Sequence, residues 1–168
     1  MLRIFLNIDY FVTFVNTFGK GGYVMNAHER AKKCAELMLK NDCATKHVGI
    51  TLDEVGAGYA KMSMKVEPYH LNGHNICHGG YIFTLADSAF AFACNSYNQL
   101  TVAQFNTINF LETAEVGELL VASAKEINKR QRTGIYDVRV IGSRDRVIAE
   151  MRGCSRTMSG KHFNEEVE

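Results

Sequence analysis

The sequence lacks the features that mark several specialised classes of protein. It contains one proline, no tryptophan and almost no net charge, with 19 Lys and Arg residues against 18 Asp and Glu residues. The balanced charge gives no broad basic surface, which argues against nucleic acid as the main partner. Hydrophobic residues make up 46% of the 168 residues, so we expect one folded domain and not a disordered chain.

The five cysteines form neither a CxxC pair nor a zinc-knuckle spacing. They lie at positions 34, 43, 77, 94 and 154. An odd number of widely spaced cysteines predicts free, mostly buried thiols in a cytoplasmic protein. We expect no metal and no cofactor.

Residues 1–24 are apolar, but they contain no run long enough to span a membrane. Asn7, Asp9 and Asn16 interrupt every apolar run before the ~20 residues that a transmembrane helix needs. A secretory signal is disfavoured because Asp9 breaks the apolar stretch and no A-x-A-like cleavage site follows. We interpret the segment as a leader outside the fold, either an extra strand or an unstructured leader.

The leader ends in a pattern that raises a question about the start of translation. Lys20, Gly21 and Gly22 lie just before Met25, and codons for Lys-Gly-Gly can form a bacterial ribosome-binding sequence. We therefore hypothesise that the natural start is Met25 and that the domain covers residues 25–160, followed by a mobile tail over 161–168. Mass spectrometry that finds residues 1–24 in the native protein would refute this hypothesis.

The rest of the chain predicts two helices and a set of strands. Apolar residues recur at helical spacing from Asn26 to about Lys40, and Asn26 and Glu29 have the spacing of a capping box. Residues 78–97 are apolar on almost every face, which indicates a buried helix. Strand patterns cover roughly 46–53, 59–67, 101–111, 118–128, 134–142 and 146–157. We predict an α+β fold, with an antiparallel sheet of five or six strands against one buried helix.

Asp87 is the one Asp, Glu, Lys or Arg between Glu67 and Glu112, and it lies in the middle of the buried helix. A buried carboxylate without a partner is costly, so two interpretations stay open. Asp87 is either a structural group with a hydrogen-bond partner from another segment, or a base or nucleophile in an apolar site.

The same helix begins at His78, Gly79 and Gly80, where unobstructed N–H groups and the helix dipole can form an oxyanion hole. Gly79 and Asp87 are eight residues apart, which is about 12 Å along a helix. A general base acts within roughly 3 Å of its proton, so the two cannot serve one carbonyl from one helix. Two antiparallel copies of the helix across a two-fold axis would bring them together, which predicts a dimer with a shared active site.

The segment LNGHNICHGGYIFTLADSAFAFACNSY resembles the hotdog-fold acyl-CoA thioesterases, in particular the phenylacetic acid degradation branch of that family. The resemblance extends from about Met25 to Met158 and includes RTGIYDV and RGCSRTM. It implies a sheet wrapped around a central helix, chains that pair into dimers and usually tetramers, and hydrolysis of acyl-CoA thioesters with aromatic acyl groups. The resemblance covers none of residues 1–24.

The resemblance also assigns roles to individual residues. Gly79 would polarise the thioester carbonyl through its N–H, Asp87 would activate water or attack the carbonyl, and Asn72 and His78 would hold the site and its water. A supporting Ser or Thr of some relatives falls at Ala103, so Gln104 or Ser88 would have to replace it. We favour attack by water, because a thiolate leaves readily without an acid.

We also predict the groups that bind the substrate. Gly80, Phe83 and Ser88 lie near the helix start or beside Asp87, and Arg130 and Arg132 belong to a basic turn that can contact the phosphates of coenzyme A. The alternative for Phe83 is ordinary core packing, and the alternative for the arginines is a solvated turn.

Other interpretations of the same residues are open at this point. His70, His74 and His78 recur every four residues next to Cys77, but Asn72-Gly73 breaks the helix that a metal site would need. Cys77 or Cys94 could be a nucleophile, although packing explains buried cysteines more often. A hotdog hydratase or dehydratase, or a non-catalytic acyl-CoA binding or sensing module, are the competing functions.

Overall fold

The computed structural model describes residues 24–165, so the predicted leader lies almost wholly outside the described residues, as do residues 166–168. The elements, in chain order, are α1 (Ala27–Asn41), α2 (Cys43–Val48), β1 (Ile50–Gly56), β2 (Tyr59–Lys65), α3 (Gly79–Asn95), β3 (Thr101–Phe110), β4 (Leu119–Arg130), β5 (Thr133–Ile141) and β6 (Val147–Thr157). Within residues 24–165, no helix combines the length and apolar character needed to cross a bilayer.

Helix α1 begins at the predicted capping box. The Asn26 side chain accepts hydrogen bonds from the N–H groups of His28 and Glu29, both at 3.0 Å, and the Glu29 carboxylate accepts from Asn26 N–H at 2.9 Å. These contacts satisfy N–H groups that have no partner in the first turn of a helix. The prediction of a capped amphipathic helix is confirmed.

The segment after α1 differs from the strand predicted over 46–53. Helix α2 occupies Cys43–Val48, and strand β1 starts at Ile50. Asp42 accepts a hydrogen bond from Thr45 N–H at 2.9 Å, and Gly49 ends the helix in the left-handed region at a φ of 75°. The strand prediction therefore began too early, because a local cap and a glycine stop decide those residues.

The six strands form one antiparallel sheet in the order β1-β2-β4-β5-β6-β3. Helix α3 lies across one face of it and packs mainly on β2, β4 and β5. The helix residues in this contact are fully buried, among them Leu85, Ala89 and Phe90. The predicted α+β arrangement of six strands and a buried helix is confirmed, and β1 and β3 are its two edge strands.

Strand β3 contains a bulge that changes which side chains face α3. Ala103 pairs with Ser155 and Phe105 pairs with Cys154, so Gln104 is an extra residue with no partner on β6. A bulge shifts the alternation of side chains by one position. Beyond it, the even-numbered positions face the core, and Ile108 packs against it, while Phe105 is 62% exposed on the outer face.

Residues 161–165, where the sequence predicts a mobile tail, lie against α1 and the end of α3. The Asn98 side chain contacts His162, Phe163 and Glu165, and the Glu165 carboxylate forms an ion pair with Arg30 at 2.6 Å. These contacts pack the segment onto the domain.

Candidate active site

Helix α3 starts with His78 as its cap. The ring Nδ1 of His78 accepts a hydrogen bond from Gly80 N–H at 2.9 Å, and His78 N–H donates to the carbonyl of His70 at 2.8 Å. The His78 carbonyl accepts from Tyr81 N–H at 2.9 Å. The side chain of His78 is therefore fixed by the cap, and Gly80 N–H is already paired.

Gly79 is the first residue of the helix. Among the N–H groups of the first turn, its N–H is the one without a hydrogen-bond acceptor in the described residues. No acceptor within residues 24–165 pairs with it. A Cβ at this position would lie 3.1 Å from the Phe110 ring, so glycine lets the end of β3 approach the helix. An unpaired N–H at the positive end of a helix suits a developing negative charge.

Asp87 lies at the middle of α3 and is half-buried. Its Oδ1 accepts a hydrogen bond from the side-chain Nδ2 of Asn106 at 2.7 Å. Burial raises the pKa of Asp87, and the Asn106 hydrogen bond acts in the opposite direction. In the described part of the chain, no Lys or Arg forms an ion pair with Asp87.

Gly79 and Asp87 lie on one continuous helix, so the structure keeps the separation that the sequence predicts. Eight residues at 1.5 Å each place them about 12 Å apart along the axis. The carboxylate of one chain therefore cannot reach a carbonyl bound at the Gly79 N–H of the same chain. If both groups act on one substrate, each chain would carry two half-sites.

Asn72 organises the loop before α3. Its side-chain oxygen accepts from His74 N–H at 2.8 Å and from Ile76 N–H at 3.4 Å, and its own N–H donates to the Ile76 carbonyl at 2.9 Å. Within residues 24–165 the Nδ2 group of Asn72 has no acceptor. The loop thus fixes the amide while leaving a donor for another group.

The partner of Asp87 is a residue that the sequence analysis missed. Neither Gln104 nor Ser88, the proposed replacements for a hydroxyl at Ala103, forms a hydrogen bond with Asp87 among the described residues; Asn106 does. Asn106 faces Asp87 because of the bulge at Gln104, and no local sequence pattern predicts that bulge. Without the bulge, Asn106 would face away from α3.

The predicted substrate-binding residues do not lie together within one chain. Phe83 is partly buried against the core near the start of α3. Arg130 and Arg132 are exposed in the β4–β5 turn, and Arg132 donates to the carbonyl of Thr157 at 3.0 Å. Lys129 of the same hairpin lies over the ring of Tyr97, which follows the C-terminal end of α3. Because Gly79 is at the other end of that helix, the arginines lie far from it.

The histidines that could have formed a metal site have separate positions. His70 is fully buried, between the rings of Tyr69 and Tyr81, and its Nδ1 accepts from Glu67 N–H at 3.0 Å. Burial lowers the pKa of His70. His78 is the helix cap, so this ring has a structural role of its own.

Two of the buried cysteines, Cys77 and Cys94, are poor nucleophiles. Burial raises the pKa of Cys77 to about 11 and that of Cys94 to about 12. The thiolate is the reactive form of cysteine, and at neutral pH both side chains are thiols.

Known proteins are similar to this chain in sequence and in fold. The profile of the thioesterase superfamily matches residues 74–149, which include Gly79 and Asp87. The acyl-coenzyme A thioesterase PaaI of Escherichia coli (strain K12) is 38% identical over 131 residues, which cover 78% of this chain and 94% of the relative.

Solved structures agree with this similarity. The structure of E. coli PaaI, a protein from the phenylacetic acid degradation operon, has a TM-score of 0.80 and 37% identity, and the match covers 81% of this chain and 99% of that one. A mutant of the phenylacetic acid degradation protein PaaI from Thermus thermophilus has a TM-score of 0.67 and 29% identity, covering 70% of this chain and 100% of that one. The hotdog fold is confirmed.

Proposed function

The chain belongs to the thioesterase superfamily and is an acyl-CoA thioesterase, and we propose that it hydrolyses aromatic acyl-CoA thioesters to the free acid and CoA. The observation that carries the mechanism is an unpaired N–H at Gly79 together with a half-buried Asp87 that no cation accompanies among the described residues. The phenylacetic acid degradation proteins among its relatives support an aromatic acyl group. The half-exposed Phe110 ring beside Gly79 offers an aromatic surface at the same place.

In this mechanism the thioester carbonyl accepts a hydrogen bond from Gly79 N–H of one subunit. Asp87 of the other subunit removes a proton from water, and the resulting hydroxide attacks the carbonyl carbon. The N–H stabilises the negative charge on the tetrahedral oxygen. The C–S bond then breaks, and CoA leaves as a thiolate that takes up the proton held by Asp87, so the acid is released and the base is restored.

A dimer through β3 would combine the half-sites. Strand β3 is a ten-residue edge strand with exposed Val102, Phe105 and Phe110, whereas the other edge, β1, has seven residues and exposed carboxylates. A long apolar edge is a surface for pairing with another chain. Antiparallel pairing of two β3 strands across a two-fold axis places the two α3 helices side by side in opposite directions.

A second contact surface would extend the dimer to a tetramer. The outer face of the sheet carries the exposed side chains of Phe105 and Ile127 and a groove of about 730 Å³. Large exposed apolar patches on a soluble domain mark interaction sites. This face includes outward side chains of β3, such as Phe105, but not the hydrogen-bonding edge of that strand.

The remaining site residues support the substrate. Asn72 has an Nδ2 donor, unpaired within the described residues, for a carbonyl or water, and Ser88 follows Asp87 on α3. Arg130 and Arg132 are exposed and form no ion pair within residues 24–165, so both can meet the phosphates of CoA. Gly80 supports the start of α3, because its N–H donates to the His78 ring. The described cysteines are all free, which suits a cytoplasmic enzyme.

A panel of aromatic and aliphatic acyl-CoAs, with release of free thiol as the readout, tests the function. We expect the highest kcat/KM for ring-hydroxylated phenylacetyl-CoA and near-complete loss of turnover in Asp87→Asn. Asp145→Asn, which changes an exposed aspartate, is the matched control and keeps wild-type activity. Tight binding without thiol release from any substrate would instead favour the sensing module.

A single turnover in ¹⁸O-labelled water tests for a covalent anhydride that opens at the aspartyl carbonyl of Asp87. Direct attack by water places the label in the acid product and leaves Asp87 unlabelled. A covalent anhydride broken by attack at the aspartyl carbonyl would label the Asp87 carboxylate, and mass spectrometry of the peptide would detect it.

A further inference from the structure

Asn106 is the one described residue that donates a hydrogen bond to the carboxylate of Asp87. The contact is short, 2.7 Å between Nδ2 and Oδ1, and joins the edge strand β3 to the middle of α3. Hydrogen bonds to an ionised carboxylate are stronger than those between neutral groups. Asn106 therefore influences both the position of Asp87 and its charge.

The bulge at Gln104 gives Asn106 this position. Before the bulge, Thr101 is buried on the inner side of β3; after it, the inner side belongs to Asn106 and Ile108. In a regular strand the odd-numbered positions would stay inside, and Phe105 would face α3 in place of Asn106. Bulges beside active sites commonly redirect one side chain in this way.

The other end of the Asn106 amide shows that its orientation is imposed. The Oδ1 atom is buried and has no hydrogen-bond partner among the described residues. A Cβ on Gly153 would lie 3.0 Å from that oxygen and 2.9 Å from the Phe90 ring, so a glycine makes room for the amide. An unpaired buried acceptor costs free energy, and a flipped amide would instead direct its oxygen at the Asp87 carboxylate. The observed orientation is the one that suits an ionised Asp87.

We propose that Asn106 is a positioning residue of the hydrolysis, directed at Asp87 by the bulge at Gln104 and holding Oδ1 of the carboxylate so that Oδ2 is left to take the proton from water. This inference rests on the proposed role of Asp87 as the base. In this proposal, the amide of Asn106 takes the supporting role that a Ser or Thr at the position of Ala103 has in some relatives.

The surroundings of Asp87 leave this task to Asn106. On the inner side of the fold, four charged or titratable groups lie on or face α3: Cys34 of α1, Cys94 of α3 itself, Glu126 of β4 and Tyr136 of β5. The inner positions of the described strands β2, β3 and β6 carry no charged or titratable side chain. The Tyr136 hydroxyl donates to Glu126 at 2.8 Å, and burial raises the pKa of both thiols. Burial raises the pKa of Asp87, and the hydrogen bond from Asn106 opposes that shift.

The test replaces Asn106 by leucine, which has a similar shape but no donor. We expect kcat to fall about tenfold or more, because a hydrogen bond to a charged group is lost, with KM nearly unchanged. The acidic limb of the pH profile of kcat moves to higher pH, because the ionised form of Asp87 loses its donor. Asn106→Asp, which places a second carboxylate beside Asp87, moves the limb further in the same direction.

Asn41→Leu is the matched control. Asn41 is the exposed last residue of α1, outside both proposed contact surfaces, and it forms no hydrogen bond with Asp87. The substitution leaves kcat and the acidic limb unchanged. If Asn106 has a purely structural role, Asn106→Leu will have a lower yield or melting temperature, but the pH profile of kcat for the folded protein will keep the wild-type acidic limb. That result would overturn the proposal.

A direct titration separates this proposal from the proposed function. The ¹³C carboxyl resonance of Asp87, assigned through Asp87→Asn, is followed with pH in the wild type and in Asn106→Leu. A higher pKa in the variant supports the positioning role even if no acyl-CoA is hydrolysed, whereas an unchanged pKa refutes it even if the enzyme is active.

Discussion

Substituting proline for Gly79 would remove one hydrogen-bond donor and little else. Proline is favoured at the first position of a helix, since the N–H there has no partner within the helix. The residue before it, His78, is extended at a φ of −65° and a ψ of 133°, which is compatible with a following proline. Gly79 N–H has no acceptor within residues 24–165, so the fold loses no hydrogen bond.

The expected effect on catalysis follows from the role of that N–H. Loss of one oxyanion-hole donor lowers kcat about 100- to 1000-fold. Gly79→Ala is the control, because it adds the same Cβ at 3.1 Å from the Phe110 ring but keeps the N–H. We expect the alanine variant to retain far more activity than the proline variant, with similar melting temperatures.

A heterodimer in which one chain carries Gly79→Pro and the other carries Asp87→Asn tests whether the two chains share a site. Co-expression with two different tags and tandem purification yields a dimer with one variant of each kind. If the site uses Gly79 of one chain and Asp87 of the other, this dimer has one intact site of two and recovers about half of the wild-type activity. Each parent alone remains at about one per cent or less.

Two outcomes would refute the reasoning. A purified heterodimer no more active than its parents would show that both groups act within one chain, against the ~12 Å between them along α3. Equal losses in Gly79→Ala and Gly79→Pro would show that the added carbon, and not the missing N–H, causes the defect. Thiol release with a phenylacetyl-CoA substrate measures both.

Three further predictions concern the fold around the site. Iodoacetamide at neutral pH should label the exposed Cys43 and leave turnover unchanged. Burial raises the pKa of Cys77 to about 11 and that of Cys94 to about 12, so neither thiol should react. Loss of activity that parallels labelling of Cys94, followed by peptide mapping, would contradict this prediction. Burial raises the pKa of Asp87 above its unfolded value, so the folded state loses stability as pH rises from the unfolded pKa to the folded one. Asp87→Asn should therefore melt at a higher temperature than the wild type at pH 7, with the difference vanishing at a pH below the unfolded pKa; a lower melting temperature at pH 7 would count against it. Asn26→Ala should cost about 1 kcal/mol of unfolding free energy, measured by denaturant unfolding, because the capping box is lost, and no change would show that the cap is dispensable.

Much of the fold could be predicted from local patterns because those patterns are also what packs it. The strand predicted over 59–67 is present as β2, and Ala60, Met62, Met64 and Val66 are all buried in the core. The capping box of α1 and the apolar helix α3 were visible for the same reason. Helix α2 was missed, because six residues held by the cap at Asp42 are too short for a helical period to show.

The candidate site could be predicted only in part. Asp87 and Gly79 lie on one helix, so their spacing in sequence fixes their spacing in the structure. Asn106 reaches Asp87 from nineteen residues away through a bulge. Strand periodicity assigns faces by counting in twos, and one unpaired residue such as Gln104 reverses the assignment of everything after it.

The departures from ordinary folding rules concentrate on α3 and β3. Asp87 is a half-buried carboxylate without an ion pair in residues 24–165, the Oδ1 of Asn106 is buried with no partner there, and β3 is a long apolar edge. Each departure lowers the stability or solubility of a single chain, and folding alone explains none of them. A second chain on β3 would cover the edge and bring a second Gly79 towards Asp87. The proposed pairing would therefore account both for the exposed strand and for the separation of Gly79 from Asp87.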